Sequence, residues 1–379
     1  MLGWRDFKNM TRREIALQVG LVLFLALVIW SAISSARTNL ATMGLTSGFD
    51  FLDRSTGWSY SFSLLERSID DPYSKTLLIG FLNTLFVGTI SIVFATIFGF
   101  IIGTMRDSRN PALQVVSSIY VQIFRNIPLI LQIVFIYAIL IHLPSPKQAH
   151  TISDVMFLSN RGIMVPVLTL PLGVVAAVAV ASVLLVVGAL KWARRALIGF
   201  GVWLFGTIVL FAAAVLIFTP PDAGLFSIPE LKGLRFRGGL TLSVELVAML
   251  IGIILYGAAY VGEIVRGGLA EVPKGLVQAG ESLGLGHFGI WWTIKVPMAL
   301  RSIIPPLGNQ WIFIMKATTI GVAIGFSDLF YIVSTSITQS GQTLELIAIL
   351  MGGFLLVNFA MAQMVNLLNA RLALKGYGS

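Results

Sequence analysis

Residues 261–297 read VGEIVRGGLAEVPKGLVQAGESLGLGHFGIWWTIKVP, and this stretch decides the fold. Its surroundings are strongly apolar, yet Glu263, Arg266, Glu271, Lys274, Gln278 and Glu281 crowd into it. Crossing a bilayer core takes about 20 consecutive apolar residues, and a helix carrying this set through lipid would meet a large desolvation cost. Most of the segment therefore belongs in water, between membrane spans. Its internal pattern predicts a short helix. Pro273 suits a first turn, where its missing N–H is no loss, and Gly284 and Gly286 punctuate the far end. Between them Leu276, Ala279, Gly280 and Leu283 share one face, with Gln278, Glu281 and Ser282 turned away. A glycine inside a helix costs about 1 kcal/mol against alanine, which close approach of another backbone offsets. The stretch reads as a docking helix on a membrane protein.

Composition supports that reading. Of 379 residues, 56% are hydrophobic and only 11% charged, against about 25% charged in a soluble domain. Mean hydropathy is +0.89. The chain has no cysteine, which excludes disulfides, thiolate metal sites and cysteine nucleophiles. His142, His150 and His287 are scattered, so no metal centre is expected. The net charge of +9 is read as cationic loops facing the cytoplasm rather than as a nucleic-acid surface. No glycine is followed by lysine, so the chain carries no Gly-Lys-Ser/Thr phosphate loop. Nucleotide energy, if used, enters through another chain.

Eight spans are expected: Ile15–Ala36, Thr76–Met105, Ala112–Ile141, Met164–Leu190, Ala196–Thr219, Thr241–Val265, Ser302–Phe326 and Leu344–Ala370. All are expected to be helices, since a helix satisfies its own backbone in lipid. With the N-terminus inside, the cytoplasmic segments carry 15 basic residues in 70 positions and the opposite segments 9 in 95. That bias places both termini and the docking helix in the cytoplasm, although Lys232, Arg235 and Arg237 go against it. The first apolar run is longer than the usual core of a cleaved signal, about 7–15 residues, and is expected to be retained. The outward loop from Arg37 to Asp71 either caps the outer mouth or meets an extracytoplasmic partner. Pro144-Ser145-Pro146 and Pro220-Pro221 read as turns at span ends.

Ionisable residues inside spans are costly and usually functional. Arg125, Glu245, Glu263 and Lys316 stand out. Asn126 and Pro128 follow Arg125 and are expected to interrupt its helix. Arg125 and Glu263 form either a charge pair at an inner gate or two separate side chains reaching for the interface. Asn309, Gln310 and Lys316 lie within about two turns of one helix, as polar contacts for a solute or as an interhelical network. Asn83 is open to the same two readings. Gly99 and Gly103 read as a small-residue packing face.

Taken together these residues resemble the permease subunits of bacterial binding-protein-dependent ABC importers for polar amino acids. Gln278-Ala279-Gly280, Gly284 and then Ile294-Lys295-Val296-Pro297 follow the spacing of that family's cytoplasmic EAA loop, with Gln and Gly departing from the pattern at 278 and 280. Tyr260–Gly268, Val272-Pro273-Lys274-Gly275, Phe124-Arg125-Asn126-Ile127-Pro128-Leu129, Leu300-Arg301 and Pro305–Gln310 also match. Spans one, four and five are additional to a five-helix core, and this extended form is similar to the general L-amino-acid importer permeases. The resemblance implies an all-α integral membrane protein of the type I importer fold, lodged in the bacterial inner membrane, with a cytoplasmic coupling helix. It implies an organisation into an N-terminal helix and periplasmic loop (1–71), a first core part (72–143), an inserted helix pair (144–240) and a second core part (241–379) holding the coupling loop at 266–298. It further implies a non-catalytic pore subunit, docked on ABC ATPases through Leu276, Gln278, Ala279, Gly280, Glu281, Leu283 and Gly284. The implied partners are those ATPases, which bind the ATP and Mg, an unlike second permease, a periplasmic amino-acid-binding protein and membrane lipid. A secondary, ion-coupled transporter is the alternative, which should show broken helices in two related halves.

Overall fold

The structure, a computed structural model, describes residues 12–42, 48–153, 155–192, 196–219, 224–233 and 235–372. The outermost parts of both expected cytoplasmic termini (1–11 and 373–379) and the Pro220-Pro221 turn lie outside the described residues. The chain divides into two compact units, Met1–Thr89 with Leu285–Ser379 and Ile90–Gly284. Among the described residues, four helices are long and apolar enough to cross a membrane, and two bent helix pairs raise the number to six if each pair is one span.

In the first unit, helix α1 (Arg12–Thr42) exposes its apolar side chains along its length, Leu17 and Trp30 among them. Such a helix hides its surface in lipid rather than in a core. The loop after it does have a core. Phe51 and Tyr60 pack with Tyr73, Leu77 and Ile79 of the long helix α2 (Tyr73–Asp107) and with Leu329, Ile332, Val333 and Leu346. Asn83 is fully buried and holds this loop: its amide nitrogen donates to the carbonyls of Phe62 and Ser327, and its oxygen accepts from Leu64 N.

The second unit is built on glycine. Gly99 and Gly103 of α2 lie against Val261 and Val265 of helix α7 (Val244–Ala270), where an added Cβ would sit 2.4 and 2.6 Å from the valine Cβ atoms. The small-residue face is therefore a packing seam. Helix α3 (Pro111–Asn126) starts at Asn110, whose side chain accepts from Ala112 N. It stops where Pro128 forces Ile127 into extended backbone, and helix α4 (Leu129–Ile141) leaves at 100°. Gln132 Nε2 donates to the carbonyls of Phe124 and Ile127 that the break leaves free. The interruption expected after Arg125 is thus a sharp corner.

The expected span at Met164–Leu190 is corrected. Met164 lies in a strand, and helix α5 begins only at Leu172 (Leu172–Trp192). Strands β1 (His150–Ile152), β2 (Met156–Ser159) and β3 (Gly162–Val165) form an antiparallel sheet in the order β1-β2-β3-β8, with β8 spanning Leu240–Leu242 and Ile163 opposite Leu242. Two smaller pairs join β4 (Val167–Leu168) to β5 (Phe226–Ser227), and β6 (Glu230–Lys232) to β7 (Arg235–Arg237). A short apolar run does not distinguish strand from helix, and here pairing with residues far along the chain decides. Helix α5 and helix α6 (Ala196–Phe218) stand between these strands, joined by Trp203 Nε1 donating to Ser182 Oγ at 3.0 Å. For the same reason the span expected from Thr241 begins at Val244, behind a Ser243 cap.

Two further expectations shift. Helix α8 is Lys274–Ser282 and helix α9 His287–Ile290. A π-turn over Trp291–Lys295 leads into α10 (Val296–Ala317), which tightens to a 3-10 helix at Thr318–Ile324, where the sequence predicts one span over Ser302–Phe326. Residues 327–341, expected as an outer loop, contain helix α11 (Leu329–Ser340), capped by Asp328 Oδ1 accepting from Tyr331 N at 2.9 Å. Helix α12 (Thr343–Leu372) closes the chain, its Val365 pressed against Gly308 of α10.

Candidate functional site

A helix, α8, forms where the sequence predicts a docking helix. Pro273 precedes α8, and Gly284 ends it at φ +77°, a left-handed conformation that costs other residues more. Leu276, Ala279 and Leu283, spaced i, i+3, i+7, are exposed, Leu283 at 82%. Gln278, Glu281 and Gly284 are also exposed. Gly280, expected on the same stripe, is buried against this chain instead. The exposed side of this nine-residue helix therefore runs along Leu276, Ala279 and Leu283. Glu281 reaches back to Arg109 at 3.9 Å.

Near that helix in sequence, three guanidinium groups share one carboxylate. Glu263 of α7 accepts from Arg106 Nη1 of α2 through Oε2, and from Arg266 Nε at 3.0 Å through Oε1. Arg125 Nη1 of α3 lies 3.6 Å from Oε2, and its guanidinium sits 4.9 Å from the centroid of the Tyr260 ring. The Arg125–Glu263 pairing considered from sequence is present. Arg106 and Arg266, which a reading of the sequence leaves among the loop cations, complete it. Arg266 is legible as an i, i+3 partner of Glu263, whereas Arg106 arrives only because Gly99 and Gly103 let α2 lie along α7. Arg106, Val121, Gln122, Arg125, Asn126, Tyr260 and Glu263 line an open pocket of about 310 Å³. In such partly dry surroundings one carboxylate does not neutralise three cations.

The remaining site residues fall in the first unit. Asn309 and Lys316 of α10 are exposed and seven residues apart, so they share a face with Pro305 and Phe313. Gln310 is turned partly inward, its Nε2 buried without a hydrogen-bond partner. Asn83 has its amide taken up by backbone groups, as described above. In the second unit, Glu245 lies in the first turn of α7. Among the described residues no cluster of acidic and histidine side chains is placed to hold a metal.

Residues 95–374 match the protein family described as binding-protein-dependent transport system inner membrane component. The chain is 36% identical over 381 residues to YhdX of Escherichia coli K12, grouped by its name with amino-acid ABC transporter permeases, covering 98% of this chain and 97% of that one. It is 34% identical over 372 residues to the general L-amino acid transport system permease protein AapQ of Rhizobium johnstonii, covering 96% and 92%. A solved amino acid ABC transporter structure, described as having histidines, aligns with a TM-score of 0.48 and 18% identity, over 79% of this chain and 95% of that one.

Proposed function

We propose, from the premise that this chain belongs to the family of inner membrane components of binding-protein-dependent transport systems, that it is the permease subunit of an ATP-driven importer of L-amino acids. The observation that supports this reading is α8, a helix with an exposed leucine edge placed directly after α7, which is long and apolar enough to cross a membrane. Helix-in-groove recognition needs such an edge, and an ATPase supplies the groove. Leu276, Gln278, Ala279, Glu281, Leu283 and Gly284 make the docking side. Family membership also removes the ion-coupled alternative, since the energy then comes from ATP.

The chain sits in the inner membrane and crosses it several times. In the proposed orientation both termini and α8 are cytoplasmic, and a periplasmic binding protein delivers the amino acid from outside. ATP and Mg bind on the ATPase subunits. A second, unlike permease faces this one across the pathway, where Asn309, Gln310 and Lys316 offer amides and an ammonium to a zwitterion. Closure of the ATPase pair moves α8. Glu281 passes that motion to Arg109, three residues beyond Arg106, and so to Glu263 and Arg125, which form the inner gate. Because coupling is reciprocal, a loaded binding protein outside raises ATP hydrolysis inside.

Reconstitution in liposomes with and without each partner tests this. Labelled amino acid is expected to accumulate only when both permeases, the ATPase and the binding protein are present. Uptake by this subunit alone, or ATPase activity indifferent to the binding protein, overturns the proposal.

A further inference from the structure

The gate pocket has more positive charge than the gate needs. Arg106, Arg125 and Arg266 share Glu263, while Arg109 is directed to Glu281. Arg106 Nε is shut off from solvent with no hydrogen-bond partner. The pocket wall adds the amides of Gln122 and Asn126 and contains no acid other than Glu263. Guanidinium and amide donors in excess of acceptors form a site for an oxyanion.

Helix α3 indicates where that oxyanion comes from. At 16 residues it is about 24 Å long, and α4, at 13, about 20 Å. Neither spans a hydrocarbon core of about 30 Å alone, and the 100° corner prevents them from doing so as one straight helix. Helix α3 is amphipathic. Ser117 and Val121 are buried and Tyr120 Oη donates to Leu255 O at 2.8 Å, while Val115, Val116, Ile119 and Ile123 are exposed. Val115, Ile119, Gln122 and Asn126 follow one another at i, i+4, i+7 and i+11, so the exposed apolar track runs into the polar wall of the pocket. A short helix with an exposed apolar track beside polar side chains suits the plane of the membrane interface.

The geometry points to a binding site for the headgroup phosphate of an anionic phospholipid, whose acyl chains enter the bilayer beside the exposed apolar face of α3 at Ile119 and Ile123. Arg125 and Arg106 hold the phosphate, and Glu263 limits how tightly. The site goes beyond the transport reading and does not depend on which solute is carried. In the orientation proposed above it belongs to the cytoplasmic leaflet.

The test uses the purified importer complex in phosphatidylcholine bilayers containing spin-labelled phosphatidylglycerol or spin-labelled phosphatidylcholine. Immobilised label is measured at constant ionic strength. The complex is expected to select phosphatidylglycerol. Arg125→Gln should lower that selectivity about fivefold, the effect of one cation near an anionic surface. Glu263→Gln, which removes the competing anion, should raise it. Should Glu263→Gln not assemble, Gln122→Lys adds a cation to the wall and is expected to raise selectivity in its place. Ile119→Ser should weaken lipid binding while leaving the charge cluster intact. Equal immobilisation of the two lipids overturns the site, as does a loss of selectivity in Arg125→Gln and Gln122→Lys alike. Full displacement by free inorganic phosphate, with Ile119→Ser without effect, overturns the lipid as its source and leaves a free oxyanion site.

Discussion

Gly103 of α2 lies so close to α7 that a Cβ there would sit 2.6 Å from Val265 Cβ and 2.7 Å from the Gly262 carbonyl oxygen. The valine could turn aside; the backbone oxygen cannot. Gly103→Ala is therefore expected to lower stability by about 1–3 kcal/mol through overpacking. Gly267→Ala, where nothing lies within 4 Å of an added Cβ, is expected to be neutral or mildly stabilising. Thermal unfolding of the two variants in detergent checks the contrast, and equal midpoints would show that the seam is not tightly packed.

Leu283, at the C-terminal cap of α8, is 82% exposed, against 41% for Leu276. Leu283→Glu is expected to weaken ATPase attachment by at least about 2 kcal/mol, a factor of about thirty, as removal of an interface anchor does. Gly275→Ala, with open space around it, should leave attachment intact. Co-purification of the ATPase with each variant provides the measurement.

Glu263 serves three arginines, so its loss should cost more than the loss of any one of them. Glu263→Gln is expected to destabilise the subunit by about 2 kcal/mol, below the value for a fully buried pair because the cluster is partly open. Arg125→Gln should cost less than half of that, since Arg106 and Arg266 remain on the carboxylate. A double-mutant cycle over Arg125 and Glu263 isolates their direct coupling; a coupling near zero would show that the two side chains do not act as a pair.

Lys316 is exposed on α10 with Asn309 on the same face. Lys316→Ala is expected to reduce uptake of several amino acids about tenfold, the loss of one charge-assisted contact. Assembly with the ATPase should be unaffected. If yield and assembly fail together with uptake, the side chain is structural and the pathway assignment is wrong.

The loop before α2 supplies a pH dependence. Asp71 Oδ2 accepts from Ser68 N at 2.8 Å and Oδ1 from Lys75 Nζ at 2.9 Å. These bonds, the backbone one foremost, hold its carboxyl below the usual value of 3.8. A depressed folded-state value means that the contribution is present above the unfolded value and lost as pH falls through the folded one. The loop is thus expected to hold at neutral pH and to loosen only below about pH 4, seen as a change in Trp58 fluorescence that Asp71→Asn removes.

Helix α8 was legible because all its determinants are local. Proline before it, glycine at a left-handed position after it and leucines at helical spacing lie within about a dozen residues. The corner at Ile127–Pro128 was legible for the same reason, since a proline restricts the residue preceding it. The helix over Leu329–Ser340 was not: its serines and threonines read as a loop, and the groups that hold it, the buried Asp328 cap and Thr84 Oγ1 accepting from Leu329 N, come partly from a distant helix.

The sequence by itself determined that this is a membrane protein with a short polar-flanked helix after one of its apolar segments, because hydropathy, charge bias and helix punctuation act over short distances. Only the tertiary structure decided that Gly162–Val165 and Val167–Leu168 are strands, that Gly280 faces its own chain, and that Arg106 joins Arg125 on Glu263. Strand pairing, the facing of a short helix and the convergence of charges all depend on which distant segment lies alongside. Close approach of α2 and α7 at Gly99 and Gly103 fixes the last of these, and no local pattern encodes it.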